Sequence, residues 1–157
     1  MAHDNSKASL IEAAIVELIA AIQWNGDDAF KTVAVWSDQI APGKAGMESF
    51  ARFTPFAFVA YEPEFPGREG DGDLRLSMGF SVVIGQVAAS DGVARYGDAT
   101  HPGTNVLEDL VIAALDNVHP GTGIACDDLQ FAGSSVIADL ERKRAIQMSF
   151  KANRMAV

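Results

Sequence analysis

Hydrophobic residues near the start of the chain recur at steps of three and four positions. The stripe consists of Leu10, Ile11, Ala14, Ile15, Leu18, Ile19 and Ile22. This spacing predicts an amphipathic helix from Ser9 to Gln23 that lies on a core. Ser9 and Glu12 stand at the spacing of a capping box, and Asn25-Gly26 supplies a stop signal.

A second stretch of the chain has the same helical spacing. Its apolar stripe consists of Val106, Leu107, Leu110, Val111, Ala114 and Leu115. The pattern predicts a helix from Asn105 to Asn117, with Asn105 and Glu108 at capping-box spacing. The preceding segment, Ala88 to Gly103, is predicted to be a loop.

Alternating and continuous apolar runs between these helices indicate strands. Phe30 to Trp36 alternates and is rich in aromatic and β-branched residues, which favours a strand. Pro55 to Glu62 is nearly all apolar, as in a strand covered on both faces. A short helix is predicted from Gly46 to Phe53, ending before Pro55 because the residue before proline avoids the helical region.

The longest strict alternation in the chain begins at Leu74. Apolar residues occupy every second position as far as Ile84, within a predicted strand from Leu74 to Val87. The alternating part would reach ~35 Å at ~3.3 Å per residue, which is longer than a small domain needs. Pro63 to Asp73, rich in proline, glycine and acidic residues, is predicted to be an exposed loop or a hairpin extension.

The end of the chain has the pattern of an antiparallel hairpin. Leu129 to Ala138 and Lys143 to Ala152 read as strands, joined by a charged turn from Asp139 to Arg142. The whole order is α-β-(short α)-β-β-α-β-β. It predicts one α+β domain over residues 1–157, with two helices packed on one face of a mostly antiparallel sheet.

Composition disfavours some classes of function but does not identify one. The chain has 157 residues, 12 Lys and Arg, 21 Asp and Glu, and a net charge of -9, which disfavours binding to a phosphate backbone. No apolar run approaches the ~18 residues of a membrane span, so no membrane partner is expected. The single cysteine, Cys126, excludes an internal disulfide and is interpreted as structural.

Sequence motifs for catalysis, cofactors and metals are missing or wrongly spaced. The chain has no phosphate-binding P-loop, no dinucleotide fingerprint and no Gly-x-Ser-x-Gly. The pairs Asp27-Asp28 and Asp127-Asp128 precede strands and are interpreted as solvated turn residues. The sequence therefore predicts no catalytic residues, no metal ligands and no cofactor.

The arrangement as a whole resembles the tail-terminator proteins of tailed phages, in particular the Mu-like prophage tail protein group. The segments that carry the resemblance are the helix from Ile11 to Ile22, the run Pro55-Phe56-Ala57-Phe58-Val59-Ala60-Tyr61, the long strand after a polar loop, the helix from Leu107 to Leu115, and the hairpin that ends in Met148-Ser149-Phe150. Together they cover nearly the whole chain.

The resemblance implies a structural protein that forms a ring, commonly a hexamer, on the end of the tail tube. Such a ring stops polymerisation and offers a surface to head-completion or neck proteins, first in the host cytoplasm and then in the virion tail. The overlong strand suggests pairing between subunits through free edge groups. The expected interface residues are Glu64, Phe65, Arg68, Asp71, Leu74, Leu76, Met78, Phe80, Val82 and Ile84.

Two other functions fit the sequence. One is a different tail or neck component, such as a tube or head-completion protein, which shares the α+β design and ring formation. The other is a small-molecule-binding domain or an enzyme of unfamiliar type, which would need a deep pocket lined by convergent polar groups.

Overall fold

A mixed β-sheet carries helices on one of its faces. The computed structural model describes residues 6–36, 52–63, 67–68, 74–88, 90–121, 123–124, 126–140 and 142–154. The helices are α1 (Lys7–Ala20), α2 (Asp91–Tyr96) and α3 (Thr104–Leu115). The strands are β1 (Gln23–Trp24), β2 (Asp27–Asp28), β3 (Thr32–Val35), β4 (Phe56–Pro63), β5 (Gly67–Arg68), β6 (Leu74–Val87), β7 (Gln130–Leu140) and β8 (Lys143–Arg154).

The long strand β6 lies at the centre of the main sheet, whose order is β3-β4-β6-β8-β7. It pairs antiparallel with β4 from Met78 to Gly85 and with β8 from Leu76 to Val87. Only β3 and β4 run parallel within this order. The predicted class, a mostly antiparallel α+β fold, is therefore confirmed.

The core lies between the sheet and two helices. Ile11, Ile15 and Ile19 of α1 are fully buried, as are Leu107, Val111 and Leu115 of α3. Fully burying one such side chain contributes about 1.5–3 kcal/mol. Helices as short as these are marginal alone in water, so packing on the sheet is what stabilises them.

The first helix begins and ends earlier than predicted. Ser6 is its N-cap, and the Ser6 hydroxyl accepts a hydrogen bond from the backbone N–H of Ser9 at 3.2 Å. The predicted capping box on Ser9 is wrong, because Lys7 and Ala8 extend the helix by a further half turn and leave Ser9 inside it.

The pair Asn25-Gly26 makes a hairpin turn instead of ending the helix. Both residues have positive φ, 51° and 86°, and they join the two-residue strands β1 and β2. Asn-Gly between paired strands is typical of a type I′ turn, whose backbone twist matches that of the strands.

The predicted loop from Ala88 to Gly103 contains the short helix α2, which Ser90 caps by accepting from the N–H of Val93 at 3.2 Å. Helix α3 starts after Gly103, which makes no side-chain cap bond, so the predicted capping box on Asn105 is wrong. The Glu108 carboxylate instead accepts from the Ser134 hydroxyl at 3.3 Å.

Most predicted strands are confirmed, with shifted ends. The run at β4 is buried on both faces as expected, while β3 is shorter than the predicted Phe30 to Trp36. The C-terminal hairpin is confirmed, and its turn is tighter because β7 continues to Leu140. Within the predicted loop from Pro63 to Asp73, Pro63 is the last residue of β4 and Gly67–Arg68 pairs with β6. The other residues of that loop lie outside the described ones. The short helix predicted from Gly46 to Phe53 also lies outside them, apart from its last two residues.

Candidate functional surfaces

The sheet face opposite α1 and α3 carries an open apolar trough, with a volume of about 410 Å³. Its lining consists of Trp36, Phe56, Phe58, Ala60, Glu62, Ser81, Val83, Ile137, Ala138, Ala145 and Gln147. Since side chains alternate between the faces of a strand, the same strands that supply the core also supply this surface.

An aromatic cluster forms one wall of the trough. The ring of Phe58 stacks on Phe56 with centroids 4.7 Å apart, and Trp36 meets Phe58 edge-on at 5.5 Å. Phe53 adds a second edge-on contact to Phe58 at 5.9 Å. These are the preferred geometries of aromatic pairs, so the wall is held in place while Trp36 keeps 37% of its surface exposed.

The floor of the trough is formed by small residues that line up on neighbouring strands. Phe56 of β4 is level with Gly85 of β6, and Gly85 is level with Ala145 of β8. Ala145 is in turn level with Ala138 of β7. In this row only Phe56, at the β4 end, has a large side chain.

A bulge in β7 builds the opposite wall. The pairing with β8 shifts between Val136 and Ala138, which leaves Ile137 as the extra residue. Val136 faces Ile146 on the helix side of the sheet, whereas Ile137 lines the trough. Both remain about half exposed, at 50% and 51%. The consecutive Val136-Ile137, which breaks strand alternation, is the sequence signal that could have identified this site.

A second concavity, with a volume of about 560 Å³, lies beside Pro55, just before the start of β4. Its polar lining includes Asn25, Asp27, Asp28, Thr100 and His101, and its apolar lining includes Trp24 and Pro102. Gln86 lies at its base, 98% buried, and its side-chain amide donates to the carbonyl of Pro102 at 3.0 Å. This cleft has the convergent polar groups that a small-molecule site needs.

The turn beside this cleft is organised by Asp98. Its carboxylate accepts from the backbone N–H groups of Thr100 and His101 at 2.9 and 2.8 Å. These bonds stabilise the ionised form and, with the Thr100 N–H as the largest contribution, lower the pKa of Asp98 from 3.8 to about 2.

Two arginines converge on one carboxylate at the far end of β7. Asp139 Oδ2 accepts from Arg95 of α2 at 2.7 Å and from Arg144 of β8 at 3.0 Å. Arg144 is largely buried beneath α2, and its Nε has no hydrogen-bond partner among the described residues. The cluster thus joins α2 to the hairpin by charge-assisted hydrogen bonds.

The structure places the predicted interface residues differently from the expectation. Met78, Phe80, Val82 and Ile84 face the helices and are at most 3% exposed, so they form core and not an accessible surface. Strand pairing through free edges of β6 is also corrected, because β4 and β8 occupy both of its edges.

The other predicted interface residues lie at the start of β6 or before it in the chain. Arg68, Leu74 and Leu76 lie in β5 and β6, where only their backbone pairing is described. Glu64, Phe65 and Asp71 lie outside the described residues. The trough, which sequence reasoning missed, is not lined by the core-facing Met78, Phe80, Val82 or Ile84.

The described ranges contain no group of three or more His, Cys, Asp or Glu side chains that could hold a metal ion. Cys126 is buried, and desolvation raises the pKa of its thiol. No helix in the described part of the chain is both long and apolar enough to span a membrane.

No model of a known protein family matches this chain, and no curated protein matches it.

Proposed function

We propose that this protein is a structural subunit of a phage tail, forming a ring that caps the tail tube, ends its polymerisation and presents a joining surface to head-completion or neck proteins. Its partners are further copies of itself, the tail tube protein and a neck protein. The role is not catalytic, and the protein works in the host cytoplasm during assembly and then in the virion tail.

The observation that carries the assembly role is the trough. One face of the sheet is covered by α1 and α3, while the opposite face carries two exposed apolar side chains, Trp36 at 37% and Ile137 at 51%, on either side of the buried Phe56 and Phe58. Exposed apolar side chains grouped on one face commonly mark a protein–protein contact. The phage assignment is supported by the resemblance of the elements to tail-terminator proteins.

A tube-capping assay tests this function. Purified protein is added to a polymerising tail tube protein of a Mu-like phage, and tube lengths are measured by electron microscopy. We expect the mean length to fall as the protein is added, with a ring of density at one tube end. Tubes of unchanged length and bare ends would contradict the proposal.

A pair of neighbouring substitutions separates the trough from the rest of the surface. Ile137→Lys places a charge in the trough, whereas Val136→Lys places one at equal exposure on the other side of β7. We expect Ile137→Lys to abolish capping and Val136→Lys to retain it, with similar thermal unfolding of both. Equal loss in both variants would contradict a role of the trough.

A small-molecule-binding function is the second candidate, and the cleft around Gln86 favours it. A polar ligand there would contact Asp27, Asp28 and His101, which line the same cavity. A thermal-shift screen with polar metabolites tests this. A reproducible increase in melting temperature that Asp28→Ala removes would support the cleft as a site, and no increase would leave the assembly role as the better reading.

A further inference from the structure

We propose that the cleft beside Pro55 binds a small hydroxylated amine, which is held by carboxylates at the rim and by the side chain of Gln86 at the base. This inference rests on the second candidate function above and names the class of ligand for that site. It does not depend on the tail role.

The two walls of the cleft are joined to each other. One wall is the β1–β2 hairpin and the other is the turn that ends at Pro102, and the side-chain amide of Asn25 in the hairpin donates to the carbonyl of Ala99 in the turn at 3.3 Å. Backbone pairing between Gly97 and Pro102 closes the base of that turn. The cleft is therefore formed before a ligand enters it, and its volume of about 560 Å³ is in the range of small-molecule sites.

Gln86 has unused hydrogen-bonding capacity at the base of the cleft. Its side chain is 2% exposed, its amide donates one N–H to the carbonyl of Pro102 at 3.0 Å, and its carbonyl accepts from the N–H of Val87 at 3.1 Å. A side-chain amide has two N–H donors and two lone pairs, so one donor and one lone pair have no partner among the described residues. A buried donor without an acceptor is costly, and a ligand hydroxyl, which both accepts and donates, would satisfy Gln86.

The rim of the cleft is acidic. Asp27 and Asp28 both line it and are exposed, and no Lys or Arg is among the described residues of the lining. Carboxylates accept hydrogen bonds and attract cations, which favours an ammonium group and disfavours a phosphate or carboxylate ligand. Trp24 and Pro102 add apolar surface for the carbon skeleton between the two polar ends.

His101 adds a further acceptor to the lining. Its Nδ1 lies 3.1 Å from the Asp98 carboxylate. Because a carboxylate only accepts, Nδ1 carries the hydrogen, and Nε2 of the neutral ring is then an acceptor. Nε2 has no partner among the described residues. The cleft thus offers several acceptors and one spare donor, which is the complement of an amine that also carries hydroxyl groups.

Calorimetric titration of the unmodified protein with three probes tests the ligand class. The probes are glucamine, which has a primary amine and hydroxyl groups, sorbitol, which lacks the amine, and hexylamine, which lacks the hydroxyl groups. Near neutral pH the amines are charged, as a lysine side chain is. We expect glucamine to bind about tenfold or more tightly than either of the others, since both ends of the ligand are used. Equal binding of sorbitol or of hexylamine, or no binding of glucamine, would overturn the proposal.

A matched pair of double variants locates the site. Asp27→Asn with Asp28→Asn removes the two rim carboxylates, whereas Asp127→Asn with Asp128→Asn makes the same change of charge outside the cleft lining. We expect the first to weaken glucamine binding by about tenfold or more and the second by less than about twofold, because only the rim carboxylates contact the amine. Equal weakening would show general attraction to a negatively charged protein and would overturn the site.

The side-chain amide signal of Gln86 in a nitrogen-edited NMR spectrum gives a readout that needs no substitution. Glucamine should shift this signal, and hexylamine should shift it less, because the hydroxyl group is what meets Gln86. An unmoved Gln86 signal at saturating glucamine would overturn its role.

The inference and the function on which it rests fail in different ways. A neutral metabolite that raises the melting temperature, with an effect that Asp28→Ala removes, would keep the small-molecule function and refute the amine if glucamine does not bind. Glucamine binding by a protein that also shortens tubes would support both this site and the tail role.

Discussion

The carboxylate of Glu12 in α1 accepts a hydrogen bond from the backbone N–H of Tyr61 in β4, with 3.0 Å between oxygen and nitrogen. Strand β3 ends at Val35, level with Val59, so this N–H lies beyond the strand that pairs with β4 on that side. Glu12 therefore satisfies a partly buried donor that lies beyond the described part of β3, and it joins the first helix to the sheet.

Removing this acceptor should destabilise the protein. Glu12→Ala leaves the Tyr61 N–H without its partner, and we expect a loss of about 1–3 kcal/mol in the free energy of unfolding. Glu12→Gln retains a neutral acceptor and should lose less. Glu17→Ala, on the exposed face of the same helix, should change stability by no more than about 0.5 kcal/mol. Urea denaturation measures all three, and equal effects at positions 12 and 17 would contradict the role of Glu12.

The Asp98 turn should make stability depend on pH in the acid range. Its pKa is about 2 in the folded protein, with the Thr100 N–H as the main cause, against ~3.9 in an unfolded chain. A lowered folded-state pKa stabilises the protein fully above pH ~4, and that contribution is lost as pH falls toward 2. Asp98→Asn should therefore differ most from the original protein above pH ~4 and converge with it near pH 2.

Denaturation of both proteins at several pH values between 2 and 6 measures this difference. Thr100→Ala is a useful comparison, because it removes the hydroxyl donor at 3.1 Å and retains the backbone N–H. It should keep most of the pH dependence. A stability difference between Asp98→Asn and the original protein that stays constant with pH would contradict the prediction.

A close backbone approach should make Gly103 intolerant of a side chain. A Cβ there would overlap the backbone nitrogen of Gly97 and lie 2.5 Å from the carbonyl oxygen of Arg95. Gly103→Ala should cost about 1–3 kcal/mol, since backbone must move to make room. In Gly92→Ala, the nearest atom is Ser90 Oγ at 3.9 Å, and helix α2 should gain about 0.5–1 kcal/mol. Thermal unfolding compares the two, and loss of stability in both would argue against a local clash.

Strands with a strict period of two were predictable from the sequence, whereas a six-residue helix and the exact N-cap of α1 were not. The alternation from Leu74 to Ile84 identified β6, because a sheet with one buried face imposes a period of two. Helix α2 was missed because six residues are too few to show a helical period. The sequence predicts the N-cap at Ser9 because Ser9 and Glu12 have capping-box spacing, whereas the hydrogen bond from the Ser9 N–H to the Ser6 hydroxyl is visible only in the structure.

The trough could not be predicted because it depends on strand order. Trp36 and Ile137 come from opposite margins of the sheet, and only the order β3-β4-β6-β8-β7 places Phe58 and Ala145 between them. Periodicity shows which residues share a face, but it does not show which strands are neighbours. For the same reason, the sequence predicts that β6 has free edge groups for subunit contact, whereas the structure places β6 at the centre of the sheet, between β4 and β8.

The Asp139 cluster gives the last prediction, because its two arginines differ in burial. Arg144 is largely buried and Arg95 is 40% exposed, yet both bind the same carboxylate oxygen. Asp139→Ala leaves the Arg144 guanidinium buried without its partner, and a buried unpaired charge costs more than an exposed pair contributes. We expect Asp139→Ala to lower the free energy of unfolding by about 1–3 kcal/mol, and Arg95→Ala to lower it by clearly less. Chemical denaturation at low and high salt measures both, and the Arg95→Ala effect should shrink with salt while the Asp139→Ala effect persists. A larger loss from Arg95→Ala than from Asp139→Ala would show that the exposed bridge, and not the buried one, holds α2 on the hairpin.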